Sequence, residues 1–262
     1  MIASALPRTL VHALAVAGVA LSVALPVRAV AEEMTISDAN RKEIETIIRA
    51  YLLENPEVLL EAQQALEDKQ AAEQRDQQRA VIGAASGDLF DSEHDGLVGN
   101  PQGSVTIVEF FDYNCGYCKR ALDDMQAMVE ADKDLRFVLK EFPILGEDSQ
   151  KAHVVSQALI TIAPEKYPEF HQQLLGSRGR ATEDKAIEIA TGLGVDEAAL
   201  RKAMKDPQII ATFRKTYDLA NKLSITGTPS YVVGDEVVFG ALGHDVLSAK
   251  VENLRACNST EC

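Results

Sequence analysis

Two cysteines separated by a dipeptide, Cys115-Gly116-Tyr117-Cys118, are the residues of this chain most suited to chemistry by type and spacing. Such a pair can exchange electrons with a disulfide: one thiolate attacks, and the second thiol then cleaves the mixed disulfide. The same spacing also serves a plain structural disulfide or half of a zinc site. Structural zinc takes four Cys or His ligands. His94, His153, His171 and His244 are scattered, and no second close pair completes a finger. The pattern therefore points to redox chemistry and to no metal site. Glu109 is a third candidate, a carboxyl inside an apolar run six residues before Cys115. Burial there would raise its pKa and suit it to moving a proton. The alternative is a solvent-facing place on an alternating strand. Cys257 and Cys262 form a C-x4-C at the tail. A closing disulfide is the plain reading, adding at most a few kcal/mol for so short a loop. Metal binding and substrate shuttling are the alternatives.

The elements that must position these groups lie on either side of them. Residues 105–111, Val-Thr-Ile-Val-Glu-Phe-Phe, read as a buried strand rich in β-branched and aromatic side chains. After Asp112-Tyr113-Asn114 and the cysteines, residues 119–129 read as a helix and 135–143 as another strand. The cysteine pair thus sits at a strand-to-helix junction inside a β-α-β pattern, the context that makes the motif specific. A helix N-terminus carries unpaired N–H groups and partial positive charge. That predicts a stabilised thiolate at Cys115, which attacks and leaves readily, and a more buried resolving thiol at Cys118 one turn on. Residues 147–222 read as helical, with a break at Pro164 and starts near Thr182 and Asp196. Ser230–Val233 and Glu236–Phe239 flank Gly234-Asp235 as a hairpin, and a last helix covers 245–256.

The rest of the chain bounds the function. Its 262 residues are 46% hydrophobic and 25% charged, an ordinary globular balance. The formal charge of -14 argues against a general nucleic-acid binder. Four cysteines are too few for a disulfide-stapled miniprotein. Residues 1–31 carry Arg8, an apolar run from Leu10 to Leu25, and Ala29-Val30-Ala31 as a small-residue cleavage point. This is the signal-peptide pattern; the alternative is an uncleaved anchor. Its removal takes away two arginines and no acid, and the remainder is expected to be exported, where disulfides persist.

Residues 32–82 read as two helices. Ser37 or Asp38 caps the first, and Ile44, Ile47, Ile48 and Tyr51 recur at helical spacing. Asn55 and Pro56 are expected at the N-cap and first position of the second. Two such helices cannot form a core of their own. Their stripe must pack on the rest of the chain or on the same segment of another subunit, and a polar spacer at 67–82 favours the second. The expected organisation is a leader at 1–31, an oligomerisation segment and linker at 32–82, and a catalytic domain at 83–262.

The cysteine segment resembles the active site of the thioredoxin superfamily. Glu109-Phe110-Phe111 and Phe142-Pro143-Ile144-Leu145-Gly146 are similar to its DsbA-like branch, over about residues 88–256. The resemblance implies an α/β thioredoxin fold with a helical insertion, preceded here by an N-terminal helical segment. Residues 223–233 resemble the family's cis-proline loop, which implies a cis Pro229, preceded by Thr228, opposite Cys115. The family uses an acidic residue at the position of Glu109 to move the proton of the resolving cysteine, and the dipeptide Gly116-Tyr117 to tune the thiolate. Cys-Gly-Tyr-Cys with Thr228 looks more like its isomerase members than its oxidases. Residues 38–70 resemble the N-terminal domain of ScsC-type (suppressor of copper sensitivity) proteins. Together these imply a periplasmic disulfide isomerase or reductase of a Gram-negative bacterium, without a cofactor. Its partners would be protein substrates, a membrane thiol reductase of the DsbD/ScsB type, and further copies of itself, with a trimer among the options and no nucleic acid. A dithiol oxidase and a copper-binding protein of a tolerance system are the alternatives.

Overall fold

The computed structural model describes residues 37–262, so the leader expected at 1–31 lies outside the described residues. The chain divides into two compact units, one ending at Leu60 and one running from Glu61 to Cys262. In the first, α1 (Asp38–Glu54) is capped by Ser37, whose side chain accepts the N–H of Asn40 at 3.3 Å. Ile44, Ile47, Ile48 and Tyr51 share a face at i, i+3, i+4 and i+7 and are 43–60% exposed, so that stripe is unpartnered among the described residues. Asn55 differs from the expected N-cap. Its side-chain amide donates to the Tyr51 carbonyl at 3.0 Å and its backbone N–H donates to the same oxygen at 2.8 Å. It closes α1 instead, because an orphan carbonyl one turn back takes both donors. The second helix, α2 (Glu57–Ala84), continues without interruption through residues 67–82, which are mostly exposed. Straight-chain polar residues have good helix propensity, so loss of the apolar stripe does not end a helix.

In the second unit α2 buries Ile82 in its last turn and is followed by α3 (Ser86–Phe90) and β1 (Gly96–Gly99). Then come β2 (Val105–Phe111), α4 (Gly116–Ala131) and β3 (Leu135–Glu141), with β2 and β3 parallel. An insertion follows: α5 (Glu147–Ile162), a 3-10 turn at Pro164–Lys166, α6 (Tyr167–Leu175), α7 (Glu183–Gly192), α8 (Glu197–Ala203) and α9 (Pro207–Lys222). The chain re-enters the sheet as the antiparallel hairpin β4 (Ser230–Val233) and β5 (Glu236–Phe239) and ends on α10 (His244–Cys257). The sheet order is β1-β3-β2-β4-β5.

The sheet is covered on both faces. Ile107 and Phe111 of β2 pack with Cys118, Leu122 and Met125 of α4 and Leu247 and Val251 of α10. Val108 and Phe110 point the other way, onto Ile82, Leu89 and the α9 residues Leu219 and Ala220. A strand buried on both sides reads as one apolar run. The period of two then sets Glu109 on the α4 face, opposite Leu139 of β3 and Tyr231 of β4. On the far face the buried Lys140 ammonium of β3 donates to the Asp95 carboxylate and the Asp88 carbonyl, tying α3 and the turn before β1 to the central strands. Desolvation of Asp95 outweighs that ammonium and raises its carboxyl to about 6.

Candidate active site

The end of β2 and the start of α4 bring the two cysteines of the C-x-x-C motif to the top of the sheet as free thiols. Cys115 is the N-cap of α4, and its Sγ accepts the N–H of Cys118 at 3.4 Å. Its Sγ lies 3.1 Å from the Thr228 carbonyl oxygen. The thiol is lowered to about 5 from 9.0, chiefly by a hydrogen bond from the Cys118 side chain, which outweighs burial. The Thr228 side chain and the N–H groups of Cys118 and Tyr117 add smaller contributions in the same direction. Cys118 is wholly buried. Burial, its hydrogen bond to Cys115 and the charge of Glu109 all push its thiol far above the ordinary value. One sulfur is held as thiolate and the other as thiol, three residues apart.

Glu109 is 2% exposed, on the α4 side of β2. Burial and then the negative charge at Cys115 raise its carboxyl to about 8. The solvent-facing alternative fails because α4 and α10 cover that face. The Thr228–Pro229 peptide is cis, with Thr228 half-buried beside the Cys115 sulfur and Pro229 buried. Gly116 is exposed, and Tyr117 is 62% exposed under the Arg120 guanidinium, which lies 4.2 Å from the ring centroid. Cys115, Cys118, Glu109, Thr228 and Pro229 thus share one site. Cys257 and Cys262 are not part of it: they are joined to each other in a disulfide at the end of α10.

The residues that hold the active-site loop carry no local signal in the sequence. Asp112 is wholly buried and accepts four hydrogen bonds. Its Oδ1 takes the Asn114 N–H (2.7 Å) and the Ser149 hydroxyl (2.8 Å), and its Oδ2 takes the N–H groups of Ile144 (2.9 Å) and Leu145 (3.0 Å). Asn114 pairs with both backbone groups of Ala181, at 2.8 and 3.0 Å. The Tyr113 N–H donates to Nε2 of His153 at 3.2 Å, and Nδ1 of that ring faces the Glu141 carboxylate. With Nε2 accepting, the ring proton sits on Nδ1 and is donated to Glu141. These partners lie 30 or more residues from the loop or on other elements, so no local spacing announces them.

Residues 106–252 match the DSBA-like thioredoxin domain family, and residues 40–73 match the copper resistance protein ScsC N-terminal domain. The chain belongs to the DsbA-like thioredoxin-domain family, a family of thiol–disulfide oxidoreductases. It is similar to the crystal structure of a thioredoxin-like oxidoreductase from Silicibacter pomeroyi, with 40% identity and a TM-score of 0.62, covering 65% of this chain and 98% of that one. Proteus mirabilis ScsC in a transitional conformation is 27% identical with a TM-score of 0.62, covering 84% of this chain and 99% of that one. Among curated proteins, Na(+)/H(+) antiporter NhaA 1 of Salinispora arenicola is 26% identical over 179 residues, 66% of this chain and 27% of that one. The chain therefore spans about a quarter of the length of that relative.

Proposed function

We propose that this protein is an exported, periplasmic thiol–disulfide oxidoreductase that works as an isomerase or reductase on misfolded or oxidised proteins. The carrying observation is the contrast between the two cysteines, a thiolate at Cys115 and a thiol at Cys118. Cys115 attacks one sulfur of a substrate disulfide, and the other sulfur leaves as thiolate. If that substrate thiolate attacks a different disulfide and the chain returns to release Cys115, pairs are exchanged with no net electron transfer. If Cys118 attacks Cys115 instead, the substrate leaves reduced and the Cys115–Cys118 disulfide remains. A membrane dithiol reductase of the DsbD/ScsB type then returns two electrons to it. The cis Pro229 loop offers backbone groups to an extended substrate beside the sulfur.

The unpartnered stripe of α1 and the ScsC N-terminal match support assembly of several copies, a trimer being one option. Several sites facing one client raise the effective concentration of thiolate. Scrambled ribonuclease with glutathione tests the reading. The full chain is expected to restore ribonuclease activity, and a variant lacking residues 32–66 to sediment at lower mass and restore it more slowly. Scrambled pairs left untouched while reduced ribonuclease is oxidised would overturn it in favour of a dithiol oxidase. The oxidase is the second reading because a thiol lowered to about 5 stabilises the dithiol form, the property of a strong oxidant. A copper-binding role rests on the two soft sulfur ligands and the copper-resistance family at 40–73.

A further inference from the structure

We infer that the rim beside Cys115 recognises carboxylates, so that the disulfides this protein handles best are flanked by acidic residues. The inference rests on the exchange chemistry proposed above and names the character of its client.

The rim is built by the loop between α6 and α7. Asn114 holds Ala181 by both backbone groups, which seats that loop against the residue preceding Cys115. Lys119, in the first turn of α4, donates to the carbonyls of Ser177 (2.9 Å) and Gly179 (3.0 Å). Lys185 donates to the Arg178 carbonyl at 3.4 Å. These bonds bring the ammonium groups of Lys119 and Lys185 to one loop, the one that carries Arg178, and carbonyls accept from ammonium groups without cancelling their charge. Burial and then the charge of Lys185 hold Lys119 below its ordinary value, as expected where two ammonium groups share a site.

Of the cations here Arg180 is paired, with Asp148 at 2.7 Å. Lys119, Arg120, Arg178 and Lys185 have no carboxylate partner among the described residues. Asp123 stands four residues from Lys119 and three from Arg120, the spacing of a helix ion pair, and takes neither. Arg120 instead stacks on Tyr117, between the two cysteines. Stacking fixes the guanidinium plane and leaves its N–H edge for a two-point bond to a carboxylate. The setting gives the inference a sign. A chain of formal charge -14 repels acidic clients and attracts basic ones through its general field. Lys119 and Arg120 in the first turn of α4, with Arg178 on the loop that Asn114 seats and Lys185 just after it, are four cations without a carboxylate partner among the described residues, and they reverse that preference where the substrate docks.

The test uses the full chain, reduced, with three cystine peptides identical except for Glu, Gln or Lys on either side of the disulfide. The Glu peptide is expected to be cleaved roughly 5-fold faster than the Lys peptide, as one or two exposed charge pairs provide. The ratio should shrink as salt rises. Arg120→Gln with Arg178→Gln is expected to bring the ratio close to one, while the Gln peptide, which carries no charge at these positions, is still cleaved. Equal rates for all three peptides, faster cleavage of the Lys peptide, or a ratio untouched by the double variant would overturn the inference alone. If none of the peptides is cleaved, the exchange chemistry itself falls, and the inference with it.

Discussion

Glu109→Gln is expected to leave the first attack by Cys115 intact and to slow release of the bound substrate by about 10²-fold, the scale of a lost general base. The reason is a coupling between charges. In the dithiol protein the Cys115 thiolate helps hold the proton on Glu109, whose carboxyl stands at about 8. Once Cys115 is bonded to a substrate sulfur, that negative charge is gone. Glu109 then gives up its proton more easily and can accept the one on Cys118. The hydrogen bond to the Cys115 thiolate and the charge on that sulfur, both of which raise Cys118, vanish in the same step. The proton moves from the Cys118 sulfur to the Glu109 carboxylate as Cys118 attacks Cys115. Quenched-flow trapping of the mixed disulfide reads this directly: the variant should accumulate it and the wild type should not. Equal lifetimes would remove Glu109 from the mechanism. The same substitution has a second signature. A carboxyl raised from 4.5 to about 8 contributes stability that is present below 4.5 and lost as pH rises through 8. Denaturation of the reduced protein should therefore show Glu109→Gln gaining on the wild type across that window, by on the order of 3–5 kcal/mol above it.

The second large effect is a difference between redox states. The reduced protein is expected to be more stable than the disulfide form at pH 7 by at most about 3 kcal/mol, less as water screens the sulfur. The sign follows from the direction of the shift. Cys115 is lowered in the folded chain, so its thiolate contributes fully above the unfolded value of 9.0. The contribution declines as pH falls and is lost near 5. At pH 7 about half of it is expressed, equivalent to roughly 60 mV of potential. Guanidinium unfolding of both forms at several pH values checks it. The gap should close toward pH 5, and a gap that is flat with pH would show that something other than this thiolate sets the potential.

Much of this site is visible in the order of residues, and the reason is local. The strand–C-x-x-C–helix junction joins neighbours in sequence, and the hairpin at Gly234-Asp235 is set by its own turn, with Gly234 at φ 57°. Glu109 was legible as a candidate because a single acid in an apolar strand is conspicuous, but its burial depends on α4 and α10 covering that face of the sheet. The parts that were not legible depend on distant partners. Asp112 looks like a loop aspartate until the chain brings Ile144, Leu145 and Ser149 to it. β1, with glycine at both ends, has little strand propensity and exists because β3 offers it a free edge. Asn55 had two helix ends within reach, and only the position of the Tyr51 carbonyl decides which one it closes.

The most direct trial of the account is ultraviolet thiolate absorbance of the reduced protein followed across pH, with Cys115→Ser as the reference. One ionisation centred near pH 5, absent from the variant, is the predicted result. A midpoint near the 9.0 of an ordinary cysteine, unaltered by the substitution, would contradict it.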